Sequence, residues 1–331
     1  MNWSSIINNT VAAAFSWEIL GLTLAAIGLN LHFGYTGLLN FGQAGFMAVG
    51  AYSIGISITV GGLSLWQALL VSLGAVVVLA FIMGVPAMRG LRTDYFAIVT
   101  IAVAEIIRLF MRAASLEKYT GGSDGLQGFV DDFRAMNPFG GAFINMGLFD
   151  IPSQLLWVVV VGWTLAAIGF LVVWLLMRSP WGRVLKAIRE DEDVVRALGK
   201  NVSAYKMQSL ILGGIFGALG GMVFAFGQAS ANSDNFAAQT TFFAYAVLIL
   251  GGAARVLSPL AGAVIFWLAL IFIENVLVQA VAAGIIPSAI VDNTQTSLVR
   301  FILLGLSLML LMIFRPQGIF GDKKELQLNA R

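Results

Sequence analysis

Cysteine is absent from this 331-residue chain, and histidine occurs once, as His32. Without cysteine there are no disulfides, no thiolate metal sites and no cysteine nucleophile. Charge is scarce as well: 11% of residues are charged and 59% are hydrophobic, whereas soluble globular chains carry about 25% charged residues. No Lys or Arg precedes Arg89, and Glu18 is the only charge before it, so the positive n-region of a cleaved signal peptide is not seen. A Walker A loop is missing too, because Gly199 and Lys200 are followed by Asn201, and Val194 stands where the upstream glycine belongs. The chain is therefore expected not to be an enzyme, to hold no cofactor and no metal, and to draw energy from a gradient or a partner. Its formal net charge is only +2, and its Lys and Arg residues cluster where lipid headgroups would place them, so nucleic acid is not an expected partner.

What the chain has in quantity is apolar runs. About 20 apolar residues, rising about 1.5 Å each, cross a bilayer core of roughly 30 Å. Runs of this kind lie near 17–33, 43–60, 66–88, 94–113, 154–177, 207–229, 240–253, 259–283 and 297–314, with an ambiguous short segment near 5–16. The expected fold is an all-α membrane protein, a polytopic bundle of roughly 8 to 10 transmembrane helices forming one domain over 1–331. Sidedness follows from charge: Arg178, Arg183, Lys186, Arg189, Arg196, Lys200 and Lys206 place 178–206 in the cytoplasm, and Arg315, Lys323, Lys324 and Arg331 do the same for the C-terminus. The connections 230–239 and 284–296 carry no Lys or Arg and read as external, whereas the turns holding Arg255 and Arg89 with Arg92 read as internal. Residues 114–153 form the one long external segment, either a docking or gating element or a solvated connection.

Residues 34–45, GYTGLLNFGQAG, put four glycines and several polar side chains into an apolar stretch. Irregular backbone at membrane depth survives only where protein or a water-filled cavity satisfies it. We read a broken or re-entrant segment lining a path, with an interfacial turn or a small-residue helix contact as the alternatives. Asn40 and Gln43 are placed there to hydrogen-bond a passing zwitterion. Ionisable residues inside a span cost about 2.5 to 3.5 kcal/mol on insertion scales. Glu105 and Arg108 are three apart and read as a structural intramembrane pair, whereas Glu274, beside Asn275, has no cation within a helical turn and is the better path candidate. His32 reads as an interfacial packing residue in preference to a proton relay.

The inner segment 178–206 holds eleven of the charged residues between two apolar runs. Val184, Leu185 and Ile188 share one helical face, and Val194, Val195 and Leu198 repeat the pattern after an acidic run. Two short helices are expected, the second begun by Glu190, Asp191, Glu192 and Asp193 and ended at Gly199. Such an element lies either in a groove of a soluble partner or on membrane lipid, and four consecutive acids argue against the lipid.

With its basic helix, acidic cluster and Ala-Leu-Gly ending, this segment resembles the coupling region of ABC importer permeases. GYTGLLNFGQAGFMAVGAY at 34–52, GLRTDYFAIVTIAVAEIIRL at 90–109, TGGSDGLQG at 120–128, GGAARVLSPLAGA at 251–263 and FRPQGIFG at 314–321 together resemble the M-type permease subunit of branched-chain amino acid importers. Ala254-Arg255-Val256 departs from the small residues that many relatives carry there. The resemblance implies cytoplasmic ABC ATPase subunits, a homologous second permease and an extracytoplasmic solute-binding protein as partners. It also implies a location in the plasma membrane of a prokaryote, and ATPase coupling through Arg183, Arg189, Glu190, Asp191, Glu192, Asp193, Arg196 and Gly199. The cargo is expected to be branched-chain or related hydrophobic amino acids, with urea or other amides as an alternative. An ion-coupled secondary transporter using Glu105 and Glu274, or a membrane sensor whose inner loop recruits a signalling protein, are the rival readings.

Overall fold

Peptide groups have no water to bond in a bilayer, so apolar runs fold into helices that satisfy their own backbone. The computed structural model describes residues 2–88, 93–140, 142–145, 150–283, 293–315 and 317–321. The turn with Arg89 and Arg92, the cations Lys323, Lys324 and Arg331, and most of the 284–296 connection, on which part of the sidedness argument draws, lie outside them.

Helices α1 (Trp3–Ala13) and α2 (Trp17–Leu29) come first. They settle the ambiguous N-terminal segment as a short helix bent by 46° against the α2 span. A π-helical turn, Asn30–Tyr35, extends α2. Then follow α3 (Gln43–Thr59), α4 (Leu65–Met88), α5 (Thr93–Arg112), the short α6 (Glu117–Thr120) and α7 (Asp131–Ala135), and α8 (Ser153–Arg178). The inner segment forms α9 (Pro180–Glu190) and α10 (Glu192–Ala197), and the chain continues through α11 (Val202–Gln228), α12 (Ala238–Gly251), α13 (Ser258–Ala282) and α14 (Asn293–Phe314). Among the described residues four helices are long and apolar enough to cross a membrane, in α4, α8, α11 and α13, and the bent α1–α2 pair makes a fifth. Helix α12 and residues 298–314 of α14 are apolar but shorter, and α5 carries Asp94, Glu105, Arg108 and Arg112. The protein is an all-α, multi-pass bundle.

Helix α11 is the hub, packed against α2, α3 and α4. Its glycines allow this. A Cβ on Gly213 would lie 2.5 Å from the carbonyl oxygen of Gly28, and one on Gly220 2.6 Å from that of Gly21, so the two helices run antiparallel with backbone against backbone at both points.

The described residues of the 114–153 segment pack on the bundle through α3, α5, α8 and α11. Strand β1 (Leu126–Gln127) pairs antiparallel with Ser230–Ala231, and Phe143–Asn145 with Asp150–Pro152. The TGGSDGLQG turn needs its glycines: Gly121, Gly122, Gly125 and Gly128 all have positive φ, and a Cβ on Gly121 would meet the Gly125 carbonyl oxygen at 2.2 Å. Beyond the turn, Phe129 and Phe133 are buried. Phe133 stacks on Phe226 of α11 at 4.4 Å between centroids, and its carbonyl accepts the Trp157 indole N–H of α8 at 3.0 Å.

Candidate functional site

The chain breaks between the π-helical turn and α3. Residues 37–42 have no regular structure, although they are sandwiched by protein. Several of its backbone groups find partners outside a helix. The amide of Leu38 donates to His32 O at 2.8 Å, that of Phe41 to Thr100 Oγ1 at 3.0 Å, and that of Ala44 to Thr241 Oγ1 at 2.8 Å. The Tyr245 hydroxyl donates to Asn40 O at 3.0 Å. This is the only way an irregular stretch is tolerated away from water.

Side chains close the same network. Asn40 Oδ1 accepts from the Gly42 amide at 2.8 Å, while its Nδ2 lies 3.1 Å from His32 Nδ1 and 3.4 Å from Gln43 Oε1. Gln43 Nε2 donates to Ala25 O at 3.1 Å and to Gly213 O at 3.2 Å. His32 Nε2 lies 3.2 Å from Leu210 O, so the neutral tautomer with its proton on Nε2 satisfies both ring nitrogens. Thr36 and Ser209 share a 2.8 Å bond, and both hydroxyls reach Leu31 O.

The expected break is present, but Asn40, Gln43 and His32 are all 0% exposed, and in this conformation they line no open path. His32 stands in the interior and not at an interface. The reason is local: π-helical widening and a non-helical return leave several backbone groups unpaired, and these side chains are the nearest polar atoms to pair them. Asn40→Ala would orphan the Gly42 amide and is expected to cost about 1 to 3 kcal/mol. Thermal unfolding of the detergent-solubilised protein checks this, and an unchanged melting temperature would show that the amide is not structural.

The other intramembrane residues sit elsewhere. Glu274 of α13 is ion-paired with Arg300 of α14, whose guanidinium lies 4.8 Å from the Phe301 ring centroid. The missing cation therefore comes from the neighbouring helix, and Glu274 bonds to neither Asn40 nor Gln43. Asn275 is half-buried beside it. Glu105 and Arg108 form the expected pair at 2.6 Å, and it extends further: Arg108 and Arg112 both reach Asp234 at 3.1 Å. Asp234 lies about 120 residues away in the chain, so no helical spacing could reveal it.

The inner segment forms two helices as read. Ser179 caps α9 with Pro180 in its first turn, Asp191 Oδ1 accepts from the amides of Asp193 and Val194 at 2.9 and 3.1 Å, and Gly199 ends α10 with φ +76. Leu185 and Ile188 of α9 and Val195 of α10 are buried in the bundle with Val173 and Met177 of α8. The shared apolar face expected for Val194, Val195 and Leu198 is split, because Val194 is 54% and Leu198 74% exposed. Arg196 bonds Asp193 at 2.8 Å and reaches Glu192 at 3.8 Å, and Lys206 closes on Glu192 at 2.5 Å. Arg183 and Glu190 are exposed.

Helix α9 is also latched to the break. Arg189 Nη1 donates to Gly34 O at 2.6 Å, and Gly37, at φ +72, lets the Arg189 stem come so close that a Cβ would stand 3.3 Å from its Cγ. On the other side Asn30 donates to Arg255 O at 2.7 Å and accepts from the Ala254 amide at 2.8 Å. The broken span is thus held at one end by the inner helix and by the turn before α13.

The family described as the permease component of the branched-chain amino acid transport system matches residues 12–313. The chain is 29% identical over 306 residues to the high-affinity branched-chain amino acid transport system permease protein LivM of Escherichia coli K12, covering 89% of this chain and 67% of that protein. Identity to the LivM protein of Salmonella typhimurium is 30% over 310 residues, with the same shares covered. A probable branched-chain amino acid transport permease protein LivM of Methanocaldococcus jannaschii is 24% identical over 337 residues, 91% of this chain and 90% of that one. With a match running from the bent N-terminal pair through α14, the chain belongs to the branched-chain amino acid transport system permease family.

Proposed function

We propose that this chain is the transmembrane permease subunit of an ABC importer for branched-chain or related hydrophobic amino acids. It works beside a homologous second permease, two cytoplasmic ATPase subunits that hydrolyse ATP in its place, and an extracytoplasmic solute-binding protein that delivers cargo. Helices α9 and α10 and the C-terminus lie in the cytoplasm, and 114–153 faces outside. The observation that carries the reading is the 2.6 Å bond from Arg189 to Gly34 O. It ties an amphipathic helix, rich in charge on its free side, to the span that breaks at 37–42. Movement of α9 by a partner is then movement of the break. Buried Leu185 and Ile188 make α9 rigid against the bundle, while exposed Val194 and Leu198, one helical turn apart and flanked by Asp193 and Arg196, are anchors of the kind that fit a groove on another protein.

In this reading Asn40 and Gln43 seal the path, and their network opens when α9 shifts. Glu274 and Asn275 keep α13 against α14 at the flank of that opening. The ion-coupled alternative needs unpaired titratable groups at mid-depth, and Glu105 and Glu274 both have arginine partners, so it is the weaker reading.

The double substitution Asp193→Ala with Arg196→Ala should uncouple transport. ATP-dependent uptake of radiolabelled leucine in proteoliposomes is expected to fall to background while the chain remains inserted and paired with the second permease. Full uptake would overturn the assignment, and uptake of urea in place of leucine would move the cargo to the amides.

A further inference from the structure

Glu18 is the only charged residue before Arg89, and neither the break nor the inner helix uses it. It stands in the first turn of α2 and lines a cavity of about 310 Å³, within the range of small-molecule pockets, about 300 to 1,000 Å³. Trp17, Phe224, Phe243, Trp267 and Phe301 form its aromatic wall. Two glycines shape that wall. A Cβ on Gly227 would lie 2.3 Å from Trp17 Cδ2, and one on Gly21 2.2 Å from Phe224 Cδ2, and these two rings meet edge to face at 5.1 Å between centroids. Phe243 and Phe301 stack at 5.7 Å.

The polar side of the cavity holds acids and amides. Asp234 Oδ1 accepts from Arg108 and Arg112, and Gln228 accepts from Asn235. Glu18 is different: its Oε2 is buried without a hydrogen-bond partner, and no Lys, Arg or His lines the cavity among the described residues. A carboxylate held away from water without a cation is costly, so it calls for positive charge from elsewhere. Glu18 and Leu22, both in the wall, share a face of α2 with Ala25, whose carbonyl accepts from Gln43. The cavity therefore stands about 10 Å along α2 from the sealed break, on the side of the 230–239 connection, whose Asp234 and Asn235 also line it.

We propose that this cavity is an outer binding site for the α-ammonium group of an amino-acid cargo. Glu18 pairs with the ammonium, Trp17 and Trp267 supply the rings that attract a cation most strongly, and the phenylalanine rings receive an apolar side chain. An inorganic cation would have no use for the aromatic wall, and a fatty acid none for the carboxylate. Cargo is held here until the Asn40 and Gln43 network opens. The outer orientation and the cargo rest on the import reading, whereas the pairing of Glu18 with an ammonium does not.

The assembled transporter in nanodiscs, without its solute-binding protein, is titrated with tritiated L-leucine in a scintillation proximity assay. Wild type is expected to bind it. At equal concentration 3-methylbutylamine, which keeps the ammonium and the branched chain, should compete, whereas 4-methylpentanoate, which lacks the ammonium, and sodium should not. Glu18→Gln keeps the shape and removes the charge, and it should weaken binding at least about thirtyfold; Trp267→Leu should weaken it about fivefold. Unchanged affinity in Glu18→Gln, competition by the acid or by sodium equal to that by the amine, or no leucine binding by wild type would overturn the proposal. The assay uses neither ATP nor uptake, so a transporter that binds leucine through Glu18 but does not import it would refute the import reading alone.

Discussion

Gly28→Leu and Gly213→Leu are each expected to remove folded protein from the membrane extract. A Cβ on Gly28 would lie 2.2 Å from Gly213 O and 2.5 Å from Gln43 Nε2, and one on Gly213 2.1 Å from His32 Nε2. All three atoms belong to the network that satisfies the break, so neither side chain can move aside without breaking its bonds. Overpacking alone costs about 1 to 3 kcal/mol, and more where backbone must shift. Parting α2 from α11 also exposes the Gln43 bonds to Ala25 and Gly213, each worth about 1 kcal/mol net. Together these consume a large share of a stability of about 5 to 15 kcal/mol. Size-exclusion chromatography of a fluorescent fusion measures the outcome. Gly74→Ala is the control, since nothing lies within 4 Å of its Cβ, and it should behave as wild type or slightly better. A monodisperse peak for both leucine variants at wild-type yield would disprove the packing argument.

Arg189→Ala should have the second large effect, on coupling and not on folding. The bond to Gly34 O is a charged donor on a backbone carbonyl, worth about 1.5 to 3 kcal/mol, which corresponds to roughly 10- to 150-fold in the population of the latched state. Transport in proteoliposomes is expected to drop at least about tenfold while ATP hydrolysis by the partner subunits continues. Arg189→Lys keeps one donor without the planar fork and should recover part of the loss. Retained transport by the alanine variant, with normal assembly, would mean that the inner helix drives the bundle by another contact.

How much of this was legible in the chain differs from element to element. The membrane helices follow from apolar run length. The 34–45 break follows from its glycines and polar groups, and the two inner helices from the spacing of Val184, Leu185 and Ile188, the acids at 190–193 and Gly199, because each of these signals acts within a few residues of itself. The Glu105–Arg108 pair is a local spacing as well. Its extension to Asp234 is not, nor is the Arg300 partner of Glu274, since both come from other helices. Helical periodicity groups Val194, Val195 and Leu198 on one stripe, yet α10 is only Glu192–Ala197. In so short a helix it is packing against α9 and α11 that decides which side is covered.

The path assignment shows the limit most clearly. A polar residue in a broken span satisfies either a substrate or the backbone beside it, and sequence holds no information on which, because both uses call for the same side chain at the same depth. Asn40 and Gln43 are given to the backbone in this conformation by Gly42, Ala25 and Gly213, two of which belong to other helices. The sequence by itself determined an all-helical membrane protein, the position of its break and the amphipathic character of its inner segment, all properties of near neighbours in the chain. Only the tertiary structure decided that Arg189 is latched to Gly34, that α2 and α11 meet through glycine backbones, and that Glu274 takes its cation from Arg300 of α14, because these depend on distances between residues tens to hundreds of positions apart.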